Sequence, residues 1–136
     1  MLKKFLKPTK LPASADWAVL ILRVGMSLMM LRHGYAKLSG FLGGDHSFAD
    51  PIGLGEELSL ILTVFAEFGC SILLILGLVS RAALLPLIFT MLVVLLVVHS
   101  GDTFDDKEHA LTFLIVYVTL LLTGPGRFSV DSSLFR

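Results

Sequence analysis

Cysteine is almost missing from this sequence, with Cys70 standing alone in a hydrophobic run. A single thiol excludes an intrachain disulfide, a Cys-x-x-Cys redox pair and any multi-cysteine metal or iron–sulfur site. It also sets aside the four-helix quinone enzymes that make disulfides, since their chemistry needs paired thiols. Charge is scarce as well. Of 136 residues only 16% are charged while 55% are hydrophobic, which argues against a water-soluble domain. The 11 basic and 11 acidic residues balance, so no net field attracts a nucleic acid, and no such partner is expected. There is no internal repeat and no low-complexity tract. The basic start, Met1 to Pro12, superficially resembles a signal peptide, but the apolar run after it is too long for one and has no small-residue cleavage site.

What the chain does have is long apolar runs. A hydrocarbon core of about 30 Å needs roughly 20 helical residues. Four segments meet that need, at about 17–38, 57–79, 82–99 and 106–123. Backbone polar groups in lipid must be paired internally, so such runs are helices. The expectation is an all-α integral membrane four-helix bundle, one transmembrane domain over residues 1–136. Five glycines and Pro51 make Ser39 to Gly55 a loop. Asp50-Pro51 reads as an N-cap and first turn leading into the second helix. Ser80-Arg81 is short enough to make helices two and three antiparallel neighbours. Gly124-Pro125-Gly126 stops the fourth helix, with glycine permitting a left-handed cap.

Basic residues set the orientation. Lys3, Lys4, Lys7, Lys10, Arg81, Arg127 and Arg136 fall on one side of the four-span arrangement. The other side holds Asp45, Asp50, Glu56, Asp102, Asp105, Asp106 and Glu108, with Lys107 its only base in the loops. The positive-inside rule then places both termini in the cytoplasm.

Ionisable residues inside spans are costly, so each needs a partner or a wet cavity. At 100° per residue Arg23, Ser27, Met30, Gly34 and Lys37 form one stripe of the first helix, with His33 at its margin. Arg32 and Lys37 lie near the outer end, where snorkelling to headgroups is the plain alternative. Glu67 lies near the midplane of the second helix, out of reach of water. Thr63, Cys70, Ser71 and Leu74 share its face, a polar stripe directed at the bundle interior. Matching Leu38 with Glu57 at the outer surface puts Glu67 level with Leu28 and about 7–8 Å from the level of Arg23, close enough for an expected Arg23–Glu67 pair. A protonated, purely structural Glu67 is the alternative. Gly25, Gly69 and Gly77 read as points of close helix contact.

A second polar set collects at the outer ends: His33, Lys37, His99, Asp102, Glu108 and His109, with His46 in the long loop. No paired histidine spacing occurs on one helix, so haem is disfavoured and no metal is assigned. A polar mouth for a small ligand or a quinone headgroup is the reading preferred. Arg23, His33, Lys37 and Glu67 are its ligand or proton-site candidates, and His99, Glu108 and His109 are secondary candidates. Catalytic residues are not assigned.

Several short stretches run in a familiar order. They are Leu22-Arg23-Val24-Gly25, His33-Gly34-Tyr35-Ala36-Lys37-Leu38, Glu67-Phe68-Gly69, Leu76-Gly77-Leu78-Val79-Ser80-Arg81 and Gly124-Pro125-Gly126-Arg127-Phe128-Ser129-Val130-Asp131. Together they resemble the DoxX family of small bacterial membrane proteins, over almost the whole chain. The resemblance implies a four-helix bundle in the bacterial inner membrane. It also implies a subunit of a quinone-linked oxidoreductase system or a membrane anchor for redox partners. Relatives include a membrane subunit of thiosulfate:quinone oxidoreductase and a mycobacterial tether for a thiol-oxidoreductase and superoxide dismutase assembly. Quinone is therefore the candidate cofactor. The candidate partners are the lipid bilayer, soluble or membrane redox proteins, and a second copy of the chain. A noncatalytic assembly protein stands as an alternative, and so does a small-solute carrier with Glu67 as proton site. The carrier ranks last, because broken helices and inverted repeats are missing.

Overall fold

The computed structural model describes residues 1–135; Arg136, one of the basic residues used for orientation, lies outside them. All regular structure among the described residues is helical. Helix α1 (Leu2–Leu6) is short, and α2 (Ala13–Leu42) runs for 30 residues. Helix α3 (Glu56–Leu76) and helix α4 (Ser80–Val98) follow, then α5 (Phe104–Thr123) and the short α6 (Val130–Leu134). Helices α2, α3 and α4 are, among the described residues, the three long and apolar enough to cross a membrane. Helix α5 is 20 residues long but opens on Asp105, Asp106, Lys107 and Glu108.

The stripe expected on α2 is its buried face: Arg23, Ser27, Met30 and Gly34 point inward, joined by Asp16 and Val19. The interior also takes Cys70 and Leu74 from α3, Leu84, Leu87 and Met91 from α4, and Phe113, Tyr117 and Leu120 from α5. Outward-facing residues are equally apolar, including Ile21, Met29, Phe65, Leu85, Phe89, Ile115 and Leu122. A bundle apolar on both sides is what a lipid solvent selects.

Several local expectations are corrected. Helix α2 reaches four residues further at each end than 17–38. Helix α3 ends at Leu76 rather than Val79, because Gly77 takes the left-handed conformation (φ +69°, ψ +36°) and Val79 also has positive φ. It begins at Glu56 behind Gly55, not at Asp50-Pro51. Asp50 still faces the helix, accepting a long 3.4 Å bond from the Ser59 hydroxyl. Gly124 ends α5 with φ +78° and ψ −175°, an extended glycine-only geometry rather than a left-handed cap.

Close helix contact also falls elsewhere than expected. A Cβ at Gly25 would meet nothing within 4 Å, and one at Gly69 only ordinary contact at 3.8 Å. At Gly34 it would lie 2.5 Å from the Phe68 backbone nitrogen and 2.6 Å from the Glu67 carbonyl carbon. Gly77 does make a close contact, on Ser129. Gly34 therefore sets the register of α2 against α3.

Candidate functional site

Two stretches of the bundle depart from α-helical winding. Phe65–Cys70 in α3 and Val94–Val98 in α4 are π-helical turns. Such turns often mark functional sites, because they widen the helix and redirect a side chain. Here Glu67 sits in the first of them and is buried.

Glu67 meets Lys37, whose Nζ donates to Oε2 at 2.7 Å. Helical side chains lean toward the N-terminus of their own helix. On the antiparallel pair α2 and α3, Lys37 therefore leans back toward Gly34 while Glu67 leans out to meet it. The pair is asymmetric: the Glu67 side chain is 6% exposed and the Lys37 side chain 29%. Lys37 is accordingly not a free headgroup-seeking cation.

Beside the pair a cavity of about 650 Å³ opens between α3 and α4. Its walls are chiefly apolar, including Met30, Phe65, Phe89 and Val94. Polar groups are few. Lys37 and Glu67 lie on one side, Ser59, Thr63 and Thr90 along the walls, and His33, His99 and His109 complete the lining. The His33 and His109 rings pack edge to face with centroids 4.9 Å apart, and His109 packs in the same way on Phe113. His99 Nδ1 lies 2.7 Å from Asp102 Oδ2. Helix α4 carries Pro86 on the cavity wall; its Thr90 hydroxyl donates to the Pro86 carbonyl at 2.8 Å.

Five of the seven candidate residues thus line one cavity: His33, Lys37, Glu67, His99 and His109. Glu108 is exposed and does not line it, nor does Arg23. His46 stacks on Phe41 at 4.2 Å and lies 3.5 Å from Glu57. In the same loop Asp45 accepts from the Ser47 amide at 3.0 Å and the Ser47 hydroxyl at 2.5 Å, bonds that hold its carboxyl below the usual range.

The expected Arg23–Glu67 pair does not form. With Gly34 at the level of Glu67, Arg23 lies eleven residues along α2, about 16 Å away. Its side chain also leans the other way. Arg23 donates from Nη1 to the Pro125 carbonyl and from Nη2 to the Phe128 carbonyl at 2.6 Å. That end of the bundle is fastened by further charged groups. Asp16 Oδ1 accepts from the Arg127 amide at 2.9 Å, and the Asp131 carboxylate accepts from the Val79 and Ser80 amides at 2.6 and 2.8 Å. Arg81 donates to the Phe5, Lys7 and Leu121 carbonyls and to the Thr9 hydroxyl. Asp16 and Asp131 were not singled out from the sequence as polar anchors. An aspartate in a first helical turn and one closing a Gly-Pro-Gly motif carry no distinctive spacing.

Among the described residues, Ser27, Ser71 and Tyr117 have buried hydroxyls that bond no other protein group. All three lie in the interior of the bundle, Ser27 on the Arg23 face of α2, Ser71 on the Glu67 face of α3 and Tyr117 on α5.

A helical bundle with apolar inner and outer faces, holding an ion pair beside a mostly apolar cavity, defines a multi-pass membrane protein. The DoxX family model matches residues 18–100, and the chain belongs to that family. It is 29% identical over 123 residues to the inner membrane protein YqjF of Escherichia coli K12, covering 85% of this chain and 91% of that protein. It is also 29% identical over 126 residues to an uncharacterized protein of Haemophilus influenzae, covering 85% and 89%. No solved structure matches the chain. It is a multi-pass protein of the bacterial inner membrane and sits in the lipid bilayer.

Proposed function

We propose that the chain is the quinone-binding membrane subunit of an oxidoreductase system, with redox partner proteins delivering the electrons. The supporting observation is the Lys37–Glu67 pair set into the wall of a cavity that is otherwise mostly apolar. A quinone headgroup is flat and apolar, with two carbonyl oxygens that need donors. The cavity offers apolar walls for the ring, with the Lys37 ammonium and the imidazoles of His33, His99 and His109 as donors. When bound, the quinone would supply the two-electron chemistry. The protein's part is to exclude water, orient the headgroup and manage protons. Lys37 Nζ donates to Glu67 Oε2 at 2.7 Å, and both groups line the cavity. His33 and His109, packed edge to face, line the same cavity as that pair.

The same reading has four spans, with α5 as the fourth, and both termini in the cytoplasm. Helix α5 packs Ala110, Phe113, Tyr117 and Leu120 inward and presents Ile115, Val118 and Leu122 outward, a pattern suited to lipid. The basic residues gather at the Arg81 end.

Purification in mild detergent, with extraction and quantification of bound quinone, tests the proposal. Quinone should co-purify with the chain, and a short-tailed quinone should raise its Tm. Lys37→Met and Glu67→Gln should abolish both effects while leaving the chain folded, with a loss of stability of up to about 3–5 kcal/mol from breaking the pair. Absence of quinone together with no Tm response, or a response that survives both substitutions, would sink the reading. A noncatalytic anchor would then be favoured.

A further inference from the structure

A second cavity, of about 600 Å³, lies at the Arg81 end, away from the quinone reading and independent of it. It is framed by the segment from Lys7 to Ala13, by Asp16, and by Arg127 and Ser132 of the C-terminal turn. Three cations line it: Lys7, Lys10 and Arg127. Among the described residues none of the three side chains makes a hydrogen bond or an ion pair. The one carboxylate present, Asp16, is buried and accepts from the Arg127 amide at 2.9 Å. The Thr9 hydroxyl is likewise engaged, by Arg81 at 3.0 Å. Apart from the Arg127 guanidinium lying 6.0 Å from the centre of the Phe128 ring, the excess positive charge has no partner among the described residues.

The frame of this cavity is rigid. Arg81 holds the Phe5 and Lys7 carbonyls at 2.8 and 3.0 Å, so the N-terminal segment is strapped across the bundle. Arg23 and Asp16 fix the C-terminal turn on the other side. The three cations therefore come from two segments that the fold brings together, not from one flexible tail.

Its surroundings match the interfacial layer of a bilayer. Trp17 packs on Phe128 at 4.5 Å and is half exposed, as interfacial aromatics are. Helix α1 leaves Leu2 and Phe5 exposed beside Lys3 and Lys4, a composition for lying at the membrane surface. Trp17, Ile21 and Leu28 give α2 an exposed apolar face along which acyl chains can pack. Pro8, Leu11 and Ala13 give the cavity itself apolar surface beside the charges.

We propose that this cavity binds the phosphate of an anionic membrane lipid, with Lys7, Lys10 and Arg127 as its ligands. Lipid phosphate is preferred to free phosphate because the cations and the apolar surface sit together at headgroup depth.

The test uses the full chain, stripped of lipid in detergent, with phosphatidylglycerol, phosphatidylcholine or inorganic phosphate added back. Phosphatidylglycerol should raise Tm at concentrations where phosphatidylcholine does not. Native mass spectrometry should show phosphatidylglycerol retained. Lys7→Gln, Lys10→Gln and Arg127→Gln should each weaken the response roughly fivefold, from about 1 kcal/mol per basic residue near an anionic surface. Their Tm without lipid should match the parent, since the bonds above use the backbone of residues 7 and 127, and Asp45→Asn at the opposite end should leave the response intact. Equal stabilisation by phosphatidylcholine overturns the proposal, as does a response that survives the triple variant. Inorganic phosphate matching phosphatidylglycerol would make this a site for a soluble anion and overturn the lipid assignment.

Discussion

At the Arg81 end, Arg23, Asp16 and Asp131 all hydrogen-bond to backbone groups, and every one of those groups belongs to a turn or a helix end. At the opposite end, Lys37 and Glu67 direct theirs to each other, beside a cavity bounded by two π-helical turns. Both regions place ionisable side chains inside an apolar bundle, yet the chemistry left over differs. Carbonyls and amides that helix ends leave unpaired would cost several kcal/mol in lipid, so charged side chains that bond them are structural by necessity. A pair that bonds only itself satisfies no backbone group. Its presence in a span asks for another reason, and the adjoining cavity supplies one.

The largest expected effect tests the structural end. Arg23→Met would leave the Pro125 and Phe128 carbonyls without their donors, at about 1–3 kcal/mol each. Thermal unfolding in detergent should show a loss of about 2–6 kcal/mol by that sum, with Arg23→Lys recovering only part because an ammonium lacks the two-pronged geometry. Combined with Glu67→Gln, the effects should add, since the two residues are about 16 Å apart along the axis. Coupling between them would revive a direct pair and blur the distinction between the two ends.

A smaller effect probes how the ends are joined. Gly34→Ala forces a methyl against the backbone of Phe68 and Glu67, and overpacking of this kind costs about 1–3 kcal/mol. It should also weaken quinone retention, because the backbone displaced is the one carrying Glu67. Gly25→Ala on the same helix meets nothing within 4 Å and should be neutral or stabilise by up to about 1 kcal/mol. If the two substitutions behave alike, Gly34 is not the contact that sets the register.

The smallest effect lies in the exposed loop. Ser47→Ala removes a donor that holds the Asp45 carboxyl below its usual range, so that carboxyl should titrate at higher pH. A carboxyl depressed by native bonds contributes stability above its unfolded value and loses it as pH falls through the folded one. Asp45 is fully exposed, so the Tm of the bundle should not move; NMR titration of the Asp45 carboxyl would register the change. A change in Tm with pH that depends on Ser47 would show the loop coupled to the bundle.

Much of this was readable in the residues. The apolar runs, the buried stripe Arg23-Ser27-Met30-Gly34 and the inward face of Glu67, Cys70, Ser71 and Leu74 follow from helical periodicity alone. Lipid as a solvent leaves such runs almost no alternative to helix. Which ionisable group meets which was not readable, because it depends on register between helices. Register here is set by backbone approach at Gly34, and periodicity treats one small residue on an interior face like another. The direction in which Arg23 leans and the π-helical turn at Glu67 add to this. The first sends Arg23 to the C-terminal turn, and the second presents Glu67 to Lys37. The sequence by itself determined that the chain is helical and which face of each helix is buried, since those are properties of a single helix in its solvent. Only the tertiary structure decided that Lys37 and not Arg23 partners Glu67, because a contact between helices depends on their mutual axial position.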